Sequence, residues 1–185
     1  SRCHWSIWHK LGTSICRGDW AVSRGSGINR ASTIGVLVQE EILYSTAMKK
    51  ILVLCTGNSC RSQIAEGYLR HFASDKALVY SAGIETHGVN PKAIATMLED
   101  GIDISKHSSN HIDEYSNIDF DFVITVCDNA KERCPYFPTR AIKFHYNFPD
   151  PAKAIGTEEE IAQAFRKVRL MIREYCQKFV LENVS

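Results

Sequence analysis

Cys55 and Arg61 bracket five residues in the run Cys55-Thr56-Gly57-Asn58-Ser59-Cys60-Arg61-Ser62. A cysteine, five residues and an arginine can wrap a loop around a tetrahedral oxyanion. The backbone N–H groups of Thr56, Gly57, Asn58, Ser59, Cys60, Arg61 and Ser62 would form an anion nest, and a helix starting at the end of the run would add its positive N-terminus. Gly57 would supply backbone angles closed to other residues. Arg61 would hold two anion oxygens with its planar fork. The same field would draw the Cys55 thiol down from about 8.5 toward roughly 3.5–7.5, making a thiolate nucleophile at neutral pH. Ser62 is placed to donate a hydrogen bond to that sulfur.

Two more cysteines follow at a distance: Cys127, then Cys134 across the mostly polar stretch Asp128-Asn129-Ala130-Lys131-Glu132-Arg133. Two such thiols form a disulfide only where the backbone brings their Cα atoms within about 7 Å. Alone, Cys127 reads as a small buried hydrophobe and Cys134 as an incidental thiol. Behind a Cys-x5-Arg loop, the pair reads as a redox relay. Zinc is a poorer fit, because no Cys-x2-Cys pair exists. Asp150-Pro151 could place a carboxylate over the loop as a general acid. Cys60 reads as packing inside the loop, although it could pair with Cys55 off-pathway, and Cys176 reads as core. His107 and His111 suit a polar loop or helix start better than a metal, and His145 reads as a structural histidine within a strand.

These groups need elements to carry them. Ile51-Leu52-Val53-Leu54 is a buried strand feeding the loop. Ile64, Tyr68, Leu69 and Phe72 then fall at helical spacing. A second strand spans 77–81. Pro91 opens a helix that Gly101 stops. The strongest strand covers 120–127 and delivers Cys127 to the sheet edge where Cys55 emerges. Another strand covers 141–146. A long amphipathic helix runs from Glu158 to about Leu181, with Ile161, Phe165, Val168, Ile172 and Phe179 inward. Alternating strands and helices predict an α/β fold with a parallel sheet and helices on both faces. Ligands of such sheets bind at the carboxyl ends of the strands, where Cys55 lies.

The chain has 185 residues, with 22 Lys and Arg against 21 Asp and Glu. That near-neutrality argues against a nucleic-acid footprint. No apolar run approaches the ~20 residues that span a bilayer, and no secretory hydrophobic segment is evident, so the expected location is the cytoplasm and the seven cysteines read as reactive thiols before structural disulfides. Residues 1–47 differ from the rest. They hold all three tryptophans, Trp5, Trp8 and Trp20, together with Cys3 and Cys16, and they show no sustained period before about Ile34. They read as upstream sequence or a disordered extension without chemistry; a transit peptide would need an amphipathic helical period that is missing. The chemistry is expected within residues 48–185.

Residues 48–185 resemble the thioredoxin-coupled arsenate reductases, which share the low-molecular-weight protein tyrosine phosphatase fold. The resemblance rests on Cys-Thr-Gly-Asn-Ser-Cys-Arg-Ser-Gln from Cys55 to Gln63, on Thr-Val-Cys with a second cysteine seven residues on followed by Pro135, and on Asp150-Pro151. It implies a four-stranded parallel sheet flanked by helices. It also implies that Cys55 attacks arsenate held by the loop and Arg61, that Asp150 protonates a departing hydroxyl, that Cys127 attacks the Cys55 sulfur and releases arsenite, and that Cys134 then resolves the pair into a Cys127–Cys134 disulfide for thioredoxin to reduce. Phosphate and sulfate would compete as oxyanions, and a monomer is expected. The family's potassium ligands match Asn58, Glu66, Ser81 and Asn110; the last is a carboxylate in the better-known pattern. The runner-up is a low-molecular-weight protein tyrosine phosphatase acting through a cysteinyl-phosphate. Against it stand Gln63, where those enzymes carry proline, and Ala152-Lys153, where they place aromatics. A redox sensor or oxyanion-binding module without turnover is a third class.

Overall fold

The computed structural model describes residues 48–128 and 140–184. Cys134 and the segment 1–47 lie outside the described residues. Among the described residues the strands and α-helices are, in order, β1 (Lys49–Cys55), α1 (Arg61–Ala73), β2 (Ala77–Gly83), α2 (Pro91–Leu98), β3 (Phe122–Thr125), β4 (Ile142–His145) and α3 (Glu158–Asn183). The four strands form one parallel sheet in the order β2-β1-β3-β4, as expected.

β1 is central and buried on both faces, so its run of five apolar residues needs no alternation. Ile51 and Val53 face one side, Leu52 and Leu54 the other. On the first side α1 contributes Ile64, Ala65, Tyr68 and Leu69, and α3 contributes Phe165, Val168, Ile172, Cys176 and Phe179, each set spaced to line one helix face. Among the described residues, the second side is covered by the short turn Ile112–Tyr115 and by Phe120.

Local chemistry sets the element ends. The Asn90 side chain caps α2 by accepting from the Lys92 amide at 2.8 Å, with Pro91 as first helical residue. Thr157 and Glu160 form a reciprocal capping box at the start of α3, satisfying amides the helix cannot. Gly101, at φ 76°, ends the α2 region in a conformation that favours glycine. β3 and β4 are shorter than their apolar patterns, spanning four residues each. Val126 follows the last register pair and still donates to the Leu54 carbonyl at 3.0 Å, and Cys127 comes next. No helix among the described residues is long and apolar enough to cross a membrane.

Candidate active site

β1 ends at Cys55 and α1 begins at Arg61. The five residues between form a loop at the carboxyl edge of the sheet. The first turn of α1 has no side-chain cap and no acidic residue, so its free amides and positive end face the loop. The loop floors a cavity of about 550 Å³ that Cys55, Arg61, Cys127, Asp150 and His87 also line. The structure therefore gathers four of the five side chains expected to do chemistry, from β1, α1 and the segments following β3 and β4. Cys134, the fifth, lies outside the described residues.

The backbone of the loop differs from expectation at one point. The left-handed residue is Asn58, at φ 43°, a conformation asparagine tolerates. Gly57 leaves room for the His87 ring instead: a Cβ there would lie 2.5 Å from its Nδ1, so the half-exposed ring would have to shift. Gly83, at the end of β2, permits a closer approach. A Cβ on it would lie 2.3 Å from the Glu85 carbonyl and 2.8 Å from both the Asn58 nitrogen and the Thr56 carbonyl. Gly83→Ala should therefore destabilise the fold by about 1–3 kcal/mol and weaken phosphate binding, checked by denaturant midpoint and by calorimetric titration.

The two buried sulfurs are neighbours. Cys55 and Cys127 line the same cavity, Cys127 is the strongest influence on the Cys55 thiol, and the Cys127 Sγ lies 3.4 Å from the Thr56 hydroxyl. That influence and burial push the Cys55 thiol up, against the downward pull of Arg61 and the Thr56 amide. The thiolate expected at Cys55 is thus not favoured in this arrangement, because the site is buried and charge on one neighbouring thiol opposes charge on the other. Ser62 also departs from expectation: its buried hydroxyl accepts from Asn58 Nδ2 at 3.2 Å and faces the loop's brace rather than the sulfur. Replacing Cys127 by alanine removes the largest upward influence on Cys55. Its alkylation by iodoacetamide at pH 7 should then quicken, about tenfold for each unit the pKa falls, as read by peptide mass spectrometry across a pH series.

Arg61 is turned toward the strand β4 side. Nη2 pairs with Asp150 Oδ2 at 3.1 Å and Nη1 donates to the Phe148 carbonyl at 3.0 Å. Nε is buried with no protein acceptor, an orphan donor that an anion would satisfy. Both arms of the expected fork are thus engaged by the protein here. Asp150 also accepts from the Ala152 amide at 3.2 Å, which fixes its carboxylate at the cavity rim.

Residues 50–185 match the family model of low molecular weight phosphotyrosine protein phosphatases. Among curated proteins, the arsenate reductase of Shouchella clausii (strain KSM-K16) is 50% identical over 133 residues, covering 71% of this chain and 94% of that protein. The chain belongs to the low molecular weight phosphotyrosine protein phosphatase family, among its arsenate reductases. A solved structure described as an arsenate reductase in the phosphate binding state superposes with a TM-score of 0.65 at 35% identity, covering 75% of this chain and all (100%) of that one. The tyrosine phosphatase Wzb from Escherichia coli K30 in complex with sulphate superposes at 0.59 with 22% identity, covering 73% of this chain and 98% of that one, a likeness of fold alone.

The residues matching the family's potassium ligands are drawn together. Asn58 Nδ2 donates to Ser81 Oγ at 2.8 Å, and Ser81 donates to Glu66 at 2.6 Å. Asn58 Oδ1 accepts from Gln63 at 2.8 Å and from the Asn110 amide at 3.0 Å. Arg70 lies 2.6 Å from the other Glu66 oxygen. The oxygens are engaged with protein donors and the one carboxylate is paired with a guanidinium, so these residues do not fit a potassium ion in this arrangement. They fit a brace for the loop. The Asn110 side chain points elsewhere, donating to Glu114 at 2.8 Å.

Several contacts of this site could not be read from local sequence. Gln63 donates to the Ser108 carbonyl at 2.9 Å and contacts His107 at 3.1 Å. His111 reaches the Ile84 carbonyl at 2.8 Å and caps the following turn. The two histidines thus serve different contacts, and no cluster of metal-binding side chains occurs among the described residues. The Thr56 contact with Cys127 was also unmarked in sequence; a hydroxyl directly after Cys55 was its only signal.

Proposed function

We propose that the protein reduces arsenate to arsenite through Cys55, Cys127 and Cys134 and is regenerated by thioredoxin. The observation that carries this reading is that the Cys55 and Cys127 thiols line one oxyanion-sized cavity as interacting neighbours. Phosphoryl transfer needs one sulfur there. Reduction needs two.

Arsenate docks on the loop amides, the α1 N-terminus and Arg61 Nε. The Cys55 sulfur attacks arsenic and a hydroxyl departs as water; the proton Cys55 loses is the proton that hydroxyl gains, carried by Asp150. Cys127, deprotonated, then attacks the Cys55 sulfur. An S–S bond forms, the S–As bond breaks, and its electron pair reduces arsenic(V) to arsenic(III), which leaves as arsenite. Cys134 attacks Cys127, and Cys55 departs and regains a proton. The resulting Cys127–Cys134 disulfide takes two electrons from the thioredoxin dithiol. A reducing cytoplasm suits this cycle.

The alternative is a tyrosine phosphatase using Cys55, Arg61 and Asp150 alone, favoured by the family it shares. Gln63 counts against it, since its three hydrogen bonds to Asn58 and Ser108 are beyond a proline. NADPH consumption in a thioredoxin-coupled assay with arsenate, set beside p-nitrophenyl phosphate hydrolysis, separates the two. Arsenate-dependent oxidation of NADPH, with a Cys127–Cys134 bridge mapped after substrate exposure, supports the reductase. Hydrolysis without NADPH consumption overturns it.

A further inference from the structure

Asp128 directly follows Cys127, and its side chain is 58% exposed. Both its oxygens are nevertheless held. His145 Nε2 lies 3.2 Å from Oδ1, and Asn147 Nδ2 donates to Oδ2. His145 and Asn147 stand two apart at the end of β4, on one side of that strand's extension. The His145 ring is itself fixed, because its Nδ1 lies 2.8 Å from Thr125 Oγ1, its partner across the β3–β4 ladder. The Thr125 hydroxyl also reaches the Phe144 carbonyl at 3.2 Å. A chain of contacts thus runs from the sheet through His145 to the residue beside the second sulfur. Asp128 and Asn147 both line the cavity, so a carboxylate released there would face an arriving anion.

We propose that His145 is a positioning residue for Cys127: together with Asn147 it grips the Asp128 carboxylate and thereby holds the Cys127 thiol against Thr56 and Cys55. The proposal deepens the reading above, in which Cys127 attacks the Cys55 sulfur. Sulfur-to-sulfur attack needs alignment within a few tenths of an ångström, and a residue tied at both carboxylate oxygens supplies it.

The test compares His145→Ala, Asp128→Ala and the double variant. Each single change should lower kcat for thioredoxin-coupled arsenate reduction about tenfold with KM within about twofold, and should quicken iodoacetamide labelling of Cys127. If His145 acts through Asp128, the double variant loses no more than either single. Losses that multiply in the double variant overturn the proposal, as do unchanged kcat and labelling in His145→Ala. A general loss of stability would show as a lowered denaturant midpoint with equal labelling gains at the buried Cys176, and that also overturns it. If the unaltered protein does not reduce arsenate, the reductase reading fails, and the grip is judged by Cys127 labelling alone.

Discussion

Cys55→Ser should abolish arsenate reduction, lowering kcat by about 10⁴-fold or more, the scale seen when a covalent nucleophile is removed. The change replaces one atom. Serine oxygen is far less ionised than cysteine sulfur, and an oxygen at this position cannot be attacked by Cys127 to form a disulfide. The first bond to arsenic and the later transfer of its electrons are therefore lost together. The anion site should survive, because the loop is braced by Asn58, Gln63 and Ser81 rather than by the sulfur. Calorimetric phosphate affinity within about threefold of the unaltered protein, with arsenate-dependent NADPH consumption at background, is the expected pair of results. Residual reduction above background would place the first bond to arsenic on another group.

Arg61→Lys should lower kcat/KM for arsenate by about 10²–10³-fold, the usual cost of removing one aimed oxyanion donor. Arg61 does three things at once. It pairs with Asp150, donates to the Phe148 carbonyl, and keeps Nε buried without a protein acceptor. A lysine ammonium is a single point of charge on a flexible stem and cannot hold these directions together. Its charge is conserved, so a loss of this size would report geometry. Oxyanion affinity should fall with kcat, in contrast to Cys55→Ser.

The sheet was legible because β1 carries an unbroken apolar run and the helices carry spacing, caps and stops that agree with one another. The loop was legible because strand, anion-binding spacing and helix fall in one stretch of chain. What escaped was contact between distant residues. The state of Cys55 depends on a sulfur 72 positions later, and the Ser62 hydroxyl turns to Asn58 because Ser81 and Gln63 assemble a brace around that side chain. Local pattern also assigned Gly57 a backbone role that belongs to Asn58; what lies against Gly57 is the ring of His87, thirty positions on. His145 read as structural, and its reach to Asp128 could not be seen without the β3–β4 register.

The Arg61–Asp150 pair gives the cavity a tethered rival for its guest. An arsenate seated at the unpartnered Nε would compete with the protein's own carboxylate for the same guanidinium, loosening that carboxylate at the moment a proton carrier is needed. Arsenite is an uncharged trihydroxide at neutral pH and exerts no comparable claim on the arginine. As the product forms, the carboxylate can swing back and close the pair, so loss of charge at arsenic becomes the signal that empties the site.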